Sequence, residues 1–197
     1  MTRAILLLAL CAPWFSAAAQ SHLTNKQLVA AATSALPEEY REGAEVRKWS
    51  DDGPETIRIG SNGMICLADD PSDDRFHVAC YQESLEPFMA RGRELRELGL
   101  QRDSLQVVRE REASSGKIKM PEHPAALYSL TGPADSFNPE AGEVVGASPL
   151  YVVYIPYATA ESTGLPTRAP RGQPWIMNPG KPWAHIMLIP PAPEEDN

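Results

Sequence analysis

The sequence predicts an α+β fold: a single domain with a largely antiparallel sheet, two or three helices, and long loops rich in proline and glycine. Three observations lead to this prediction. A capped helical segment comes first, four short β-like segments follow it, and two helical segments then separate these from three further β-like runs. The 19 prolines concentrate after Met120, and they indicate ordered loops there rather than helices.

The N-terminus has the pattern of a secretory signal peptide over residues 1–19. Arg3 supplies a positive charge, residues 4–15 are apolar but too few to span a bilayer, and an A-x-A cleavage site ends at Ala19. We therefore expect a periplasmic or secreted protein that is cleaved near Ala19. Cys11 also admits a lipoprotein signal, although the residue before it is a leucine and not the small residue that such a signal requires.

Residues 20–190 then form the domain, and residues 191–197 form an acidic tail that we expect to be disordered. The chain carries 18 Lys and Arg against 26 Asp and Glu, a formal net charge of −8. This balance disfavours nucleic acid and anionic membrane surfaces as partners, because both select clustered positive charge. We find no run in the domain long and apolar enough to cross a membrane. We therefore expect a small molecule or a protein as partner, and no cofactor.

The first helix is predicted to begin at Thr24. Thr24 and Gln27 have the spacing of a capping box, and Leu23 and Leu28 have that of the accompanying hydrophobic staple. Pro37 ends the helical pattern.

Four short strands are predicted next, because β-branched and aromatic residues alternate between turn signals. Asn62-Gly63, between the second and the third, is a strong signal for a two-residue hairpin turn. Such a hairpin sets Ile59 opposite Cys66. The predicted strands cover residues 44–50, 55–60, 63–68 and 75–81.

Cys66 and Cys80 remain after signal cleavage and bracket a loop with four carboxylates. If this loop is a hairpin turn, a symmetric register puts Cys66 opposite Cys80, and an oxidising compartment then favours a disulfide. The carboxylates also admit a calcium site, but Arg75 stands where an EF-hand loop needs glycine. A redox site needs C-x-x-C, which this segment lacks.

Two helices and three strands complete the prediction. Ser84 is the expected N-cap of the first helix, with Pro87 in its first turn, and Asp103 is expected to start the second. We expect the charged run from Arg109 to Glu112 to be a solvated helix face. The predicted strands cover residues 125–132, 150–159 and 183–190.

Several distinctive stretches are spread over most of the domain, including GSNGMICLADDP, ACYQESLEPFMARGREL, ALYSL, YVVYIPYAT and PWIMNPGKPWAHIM. Together they resemble a family of exported bacterial proteins with no established activity, whose pattern is G-[ST]-N-G-x-x-C…C…G-x-P-x-A-H-I-M. In that family the last motif usually reads G-T-P-x-A-H-I-M, whereas Lys181 stands at the threonine position here. The resemblance implies a single exported domain and no catalytic residue.

His185 and Met187 are candidate metal ligands, because residues two apart in a strand share one face. Imidazole with thioether suits copper, since soft sulfur favours Cu(I), and Met177 in the preceding loop is a candidate third ligand. The sequence thus admits a periplasmic copper or haem site. The alternative is structural: His185 bonds a backbone carbonyl, and Met187 packs in the core.

Aromatic side chains beside two long loops are the candidates for a ligand pocket: Tyr154, Tyr157, Trp175 and Trp183. The alternative is that they fill the core. The chain contains no G-x-S-x-G and no H-E-x-x-H motif, and no residue is singled out as catalytic. The sequence therefore favours a non-enzymatic ligand- or protein-binding module. An extracytoplasmic hydrolase without a recognisable motif is the alternative from another class.

Overall fold

The structure, a computed structural model, describes residues 23–169 and 172–190. The predicted α+β fold is confirmed: a mostly antiparallel eight-stranded sheet carries helices on both faces. The predicted signal peptide (1–19) and acidic tail (191–197) lie outside the described residues. The helices are α1 (Asn25–Thr33), α2 (Glu38–Arg41), α3 (Glu86–Glu97), α4 (Arg102–Ser114) and α5 (Ala160–Thr163). The strands are β1 (Glu45–Ser50), β2 (Gly53–Arg58), β3 (Met64–Leu67), β4 (Arg75–Gln82), β5 (Ala125–Pro133), β6 (Phe137–Asn138), β7 (Glu143–Val144), β8 (Ser148–Tyr154), β9 (Trp175–Met177) and β10 (His185–Leu188).

The strand order of the sheet is β2-β1-β3-β4-β5-β8-β10-β9, and β1 and β3 run parallel. Because β2 pairs with β1 and not with β3, the predicted Asn62-Gly63 hairpin is wrong. Ile59 is 87% exposed and does not face Cys66.

The chain between β2 and β3 crosses the start of β1 instead of turning back on itself. A Cβ atom on Gly60 would lie 2.4 Å from the backbone nitrogen of Glu45, so only glycine permits this close approach. Asn62 holds the crossing by donating from its side chain to the carbonyl of Tyr40 (2.8 Å). The asparagine therefore serves a crossover connection rather than a hairpin.

Cys66 and Cys80 are directly opposed on β3 and β4, as predicted, and form a disulfide with an S–S distance of 2.06 Å. Both are fully buried, and Val78 and Phe76 follow on the same face of β4. This face of the sheet is covered by α1, whose Ala32 carbonyl lies 3.2 Å from the Sγ of Cys80. The disulfide is therefore part of the core beneath α1.

The capping box at the start of α1 is confirmed. Thr24 accepts the backbone N–H of Gln27 on its hydroxyl (3.4 Å), and Gln27 accepts the backbone N–H of Thr24 (2.9 Å). Ala31 and Ala32 are buried, and their small side chains let α1 lie close to the sheet.

Helices α3 and α4 cover the opposite face of the sheet. Ser84 is not the N-cap of α3, because it lies in a single 3-10 turn where Gln82 accepts its backbone N–H (2.8 Å). Helix α4 begins at Arg102, one residue before the predicted start, so Asp103 lies within its first turn. None of the helices among the described residues has the length and apolar character of a membrane span.

The charged run predicted to be solvated is largely buried at its ends. Glu112 is 6% exposed and accepts from Arg91 Nε (2.7 Å) on α3 and from Lys117 Nζ (2.7 Å). These two cations lower the pKa of Glu112 to about 2. Arg109 is half-buried between the helices and the sheet. The run therefore joins α4 to α3 and to the interior.

The last strands differ from the prediction at one edge. The segment Trp175–Met177 was predicted to be loop, but it forms β9 by pairing with β10. Its backbone also meets the preceding loop, because the N–H of Ile176 donates to the carbonyl of Pro166 (2.9 Å). These bonds satisfy backbone groups that a loop would leave for water.

Candidate functional site

A cleft of about 1010 Å³ lies on the sheet face opposite the disulfide, beneath α3 and α4. Leu127, Val152 and Met187 are paired across three neighbouring strands and form an apolar row on its floor. Leu150 and the buried Ser129 form the next row. The volume is at the upper end of the range for small-molecule sites.

Glu86, at the start of α3, neutralises two arginines beside this cleft. One carboxylate oxygen accepts from Arg93 Nη2 (2.7 Å) and from Arg47 Nη1 (2.6 Å), and the other accepts from the Tyr81 hydroxyl (2.5 Å). Burial, together with the bond to Glu86, raises the pKa of Tyr81. The charge of the buried Arg93 is therefore compensated within the protein.

Arg109 also lines the cleft, but it has no such partner. Among the described residues, no carboxylate lies within salt-bridge distance of its guanidinium, and its buried Nε has no hydrogen-bond acceptor. Burial lowers the pKa of Arg109 to about 10, Tyr154 opposes this change, and Arg96 adds to it. Arg109 is still a cation at neutral pH, and the described residues supply no carboxylate to neutralise it.

Two residues of α3, Phe88 and Gly92, position the guanidinium of Arg109. Its Cζ lies 3.3 Å from the centroid of the Phe88 ring, which is a cation–π contact. Gly92 follows Phe88 by four residues and so lies on the same helix face. A Cβ atom on Gly92 would lie 3.0 Å from Arg109 Nη1, so a larger residue there would push the guanidinium away.

Aromatic rings surround this end of the cleft. The Phe88 ring is stacked on Trp183, with centroids 5.8 Å apart, and meets Tyr154 edge-on at 6.2 Å. The Tyr154 ring lies 5.0 Å from the ring of His185. Burial raises the pKa of Tyr154, and Arg109 opposes the rise. This aromatic end therefore combines one half-buried cation, Arg109, with the neutral hydroxyl of Tyr154.

The rim of the cleft carries charges of both signs. Its arginines are exposed and make no salt bridge among the described residues: Arg75, Arg96 and Arg102. Its carboxylates are Asp70, Asp73 and Glu97. Water reaches these groups, whereas the Nε of Arg109 is buried and has no acceptor among the described residues.

The structure brings the three candidate metal ligands together on one hairpin. Met177 is directly opposite His185 across β9 and β10, and Met187 follows two residues later on the same face. His185 donates from Nδ1 to the carbonyl of Trp183 (2.8 Å), so the neutral ring keeps its lone pair on Nε2. Burial lowers the pKa of His185, and this bond opposes the change. The same bond is also the one expected of a structural histidine.

The four aromatic candidates have different places. Tyr154 lines the cleft, whereas Trp183 is buried behind Phe88, and Trp175 is buried opposite Met187. Tyr157 is 54% exposed and lines a separate cavity of about 450 Å³ near Met120. Of the four, Tyr154 is thus the one that a ligand in the cleft would touch.

The acidic loop after β3 uses its carboxylates for turn hydrogen bonds. Asp70 accepts from the backbone and the hydroxyl of Ser72 (2.9 and 2.7 Å), and Asp69 accepts from the backbone of His77 (2.7 Å). In the described part of the chain, no three His, Cys, Asp or Glu side chains lie close enough together to hold a metal ion.

The sequence interpretation missed Arg109, although the helical period contains a signal for it. Arg109 follows the buried Leu105 by four residues and precedes the buried Ala113 by four, so all three lie on one face of α4. A charged residue on such a stripe indicates either a buried ion pair or a site. The neighbouring charges at 110–112 concealed this by suggesting a solvated face.

Comparisons of the chain with models of protein families, with curated proteins and with solved structures find no match in any of the three. The class of the molecule is therefore defined by its α+β fold and by the cleft. Its function is inferred below from the residues of the cleft.

Proposed function

We propose that this protein is a non-enzymatic binding module that holds a small organic anion in the cleft between the sheet and helices α3 and α4. The observation that carries the proposal is Arg109, a half-buried cation whose Nε is shielded from water and which has no carboxylate partner among the described residues. An unpaired charge removed from water costs stability unless something compensates it. A bound anion supplies that compensation.

The contrast with Arg93 supports this proposal. Both arginines line the cleft, and Arg93 is buried while Arg109 is half-buried, yet Arg93 has Glu86 whereas Arg109 has no carboxylate partner among the described residues. The chain as a whole is acidic, with a net charge of −8, so carboxylates are plentiful on its surface. An uncompensated cation inside such a protein favours a ligand that brings its own negative charge.

Binding is favoured over the alternative of a hydrolase. Within the described residues, the histidine–hydroxyl hydrogen bond at the edge of the cleft joins His77 Nδ1 to Thr131 (2.8 Å). These two residues are a directly opposed cross-strand pair, which accounts for the bond without catalysis. A catalytic triad needs a third group that orients the histidine, and no carboxylate bonds to the His77 ring here.

An exported location belongs to the same proposal. The predicted signal peptide and the resemblance to exported bacterial proteins favour the periplasm or secretion. The Cys66–Cys80 disulfide supports an oxidising compartment, since such bonds are rare in the cytosol.

Organic anions should stabilise the protein against thermal unfolding. A panel of monocarboxylates, dicarboxylates, phosphate esters and sulfonates, each at equal ionic strength, would be compared with sodium chloride. At about 100 times the dissociation constant, a bound anion adds about 2.7 kcal/mol to the stability. Stabilisation no larger than that from sodium chloride by any member of the panel would contradict the proposal.

We propose Cu(I) binding as a second candidate function, because Met177 lies opposite His185 and Met187 shares their face. A metal-ligating histidine usually donates its other ring nitrogen to a carbonyl, as His185 does to Trp183. Anaerobic competition with a chromophoric Cu(I) chelator should then give one bound copper. Met187→Leu should weaken that binding, whereas the control Met120→Leu, outside the hairpin, should not. Equal copper retention by both variants would refute this candidate.

A further inference from the structure

The geometry points to a specific class of ligand: an amphiphilic carboxylate, whose acid group binds Arg109 while its apolar body lies along the floor of the cleft. This inference rests on the proposed function and adds the shape and polarity of the anion. It also fixes the orientation, with the acid group at the aromatic end.

The form of the acid group follows from the surroundings of Arg109. One face of the guanidinium is covered by the Phe88 ring, with 3.3 Å between Cζ and the ring centroid. The groups left for a ligand are the N–H donors in the guanidinium plane, which form a fork that matches the two oxygens of a carboxylate. The neighbouring Tyr154 lines the cleft and meets the same Phe88 ring edge-on.

The number of acid groups follows from the distribution of the cations. Among the arginines that line the cleft in the described part of the chain, Arg109 is the half-buried one without a carboxylate partner, whereas Arg75, Arg96 and Arg102 are exposed at the rim. The rim arginines attract an anion from solution, but their charge is screened by water and salt. A ligand with a single buried charge fits this arrangement better than a compact polyanion does.

The apolar body of the ligand is inferred from the apolar residues on the floor of the cleft. Leu67, Leu127, Leu150 and Met187 are only half-buried, although they lie side by side in the cleft with Met89 from α3. A small inorganic anion on Arg109 would leave this surface in contact with water. An alkyl or aryl body would cover this apolar surface, and each buried CH₂ would raise the affinity about fourfold. The cleft volume of about 1010 Å³ is ample for such a molecule.

The test uses isothermal titration of the whole protein with hexanoate, octanoate and decanoate, with 1-octanol as the uncharged match and inorganic phosphate as the compact anion. We expect affinity to rise about fourfold per CH₂ along the acids. We expect 1-octanol to bind about 10- to 100-fold more weakly than octanoate, because it lacks the charge-assisted bonds to Arg109. Phosphate should bind more weakly than octanoate.

Two substitutions locate the acid group. Arg109→Met should weaken octanoate about 10- to 100-fold. The octanoate affinity of Arg109→Lys should lie between those of the wild type and Arg109→Met, because lysine keeps the charge but lacks the forked pair of donors. Arg111→Met is the matched control, since Arg111 is exposed on the same helix and outside the cleft, and it should bind octanoate like the wild type.

Each outcome has a defined meaning. Equal affinity for octanoate and 1-octanol, or full octanoate affinity in Arg109→Met, would overturn the inference. Arg109-dependent binding of phosphate or short acids, with no gain from longer chains, would overturn it and leave the proposed function standing. Failure of every anion to bind would overturn both.

Discussion

Replacing Glu86 with glutamine should lower the free energy of unfolding by about 1–3 kcal/mol, because the half-buried carboxylate is lost and the buried Arg93 keeps an uncompensated charge. Two guanidiniums, those of Arg93 and Arg47, lose their shared carboxylate in this variant. Arg93 is 8% exposed, so water cannot replace the lost partner. Urea unfolding monitored by circular dichroism would measure the change.

Two further variants separate the ion pair from other effects. Glu83→Gln, which alters an exposed carboxylate three residues earlier, should change the stability by less than about 0.5 kcal/mol. Adding Arg93→Met to Glu86→Gln should restore part of the loss, since the stranded charge is removed. A Glu86→Gln protein as stable as the wild type would show that the arginines beside the cleft need no compensation.

In contrast to Glu86→Gln, Arg109→Met should change the stability little in the absence of ligand. Its free energy of unfolding should lie within about 1 kcal/mol of the wild type. The lost cation–π contact with Phe88 is offset by removal of an uncompensated charge from a half-buried position. With octanoate at 100 times the wild-type dissociation constant, however, the gain of about 2.7 kcal/mol should fall to about 0.4–1.4 kcal/mol, because the variant binds about 10- to 100-fold more weakly. The same urea titrations, with and without octanoate, measure both effects.

Arg111→Met again serves as the control, and it should keep both the basal stability and the stabilisation by the anion. A large loss of stability in ligand-free Arg109→Met would mean that Arg109 is a structural residue. Undiminished stabilisation by octanoate in that variant would place the anion elsewhere.

Local patterns were enough to predict much of the fold. The alternation of apolar residues around the symmetric loop 69–74 placed Cys66 opposite Cys80, and the capping box located α1. The path between β2 and β3 was not predictable in this way, because Asn62 fits a hairpin and a crossover equally well. The choice depends on the contact between Gly60 and Glu45, which are distant in sequence and meet only in the folded sheet.

The candidate site was predicted less completely, for a related reason. Tyr154 and His185 were found from their residue types, and both border the aromatic end of the cleft. The cleft itself exists because α3 and α4 lie over the sheet, and no single segment encodes that arrangement. Arg109 gains its meaning only from Phe88 and Gly92 on the neighbouring helix and from the absence of a carboxylate beside it among the described residues.

The central claim is that Arg109 is the group that binds the anion, and nitrogen NMR of the arginine side chains tests it most directly. The Nε–H signal of Arg109 is the one that would be missing from the spectrum of Arg109→Lys. On saturation with octanoate we expect this signal to shift and to become protected from exchange with water, because its donor gains an acceptor. An Arg109 signal that stays unchanged while octanoate saturates the protein, or a spectrum that octanoate does not alter at all, would contradict the claim.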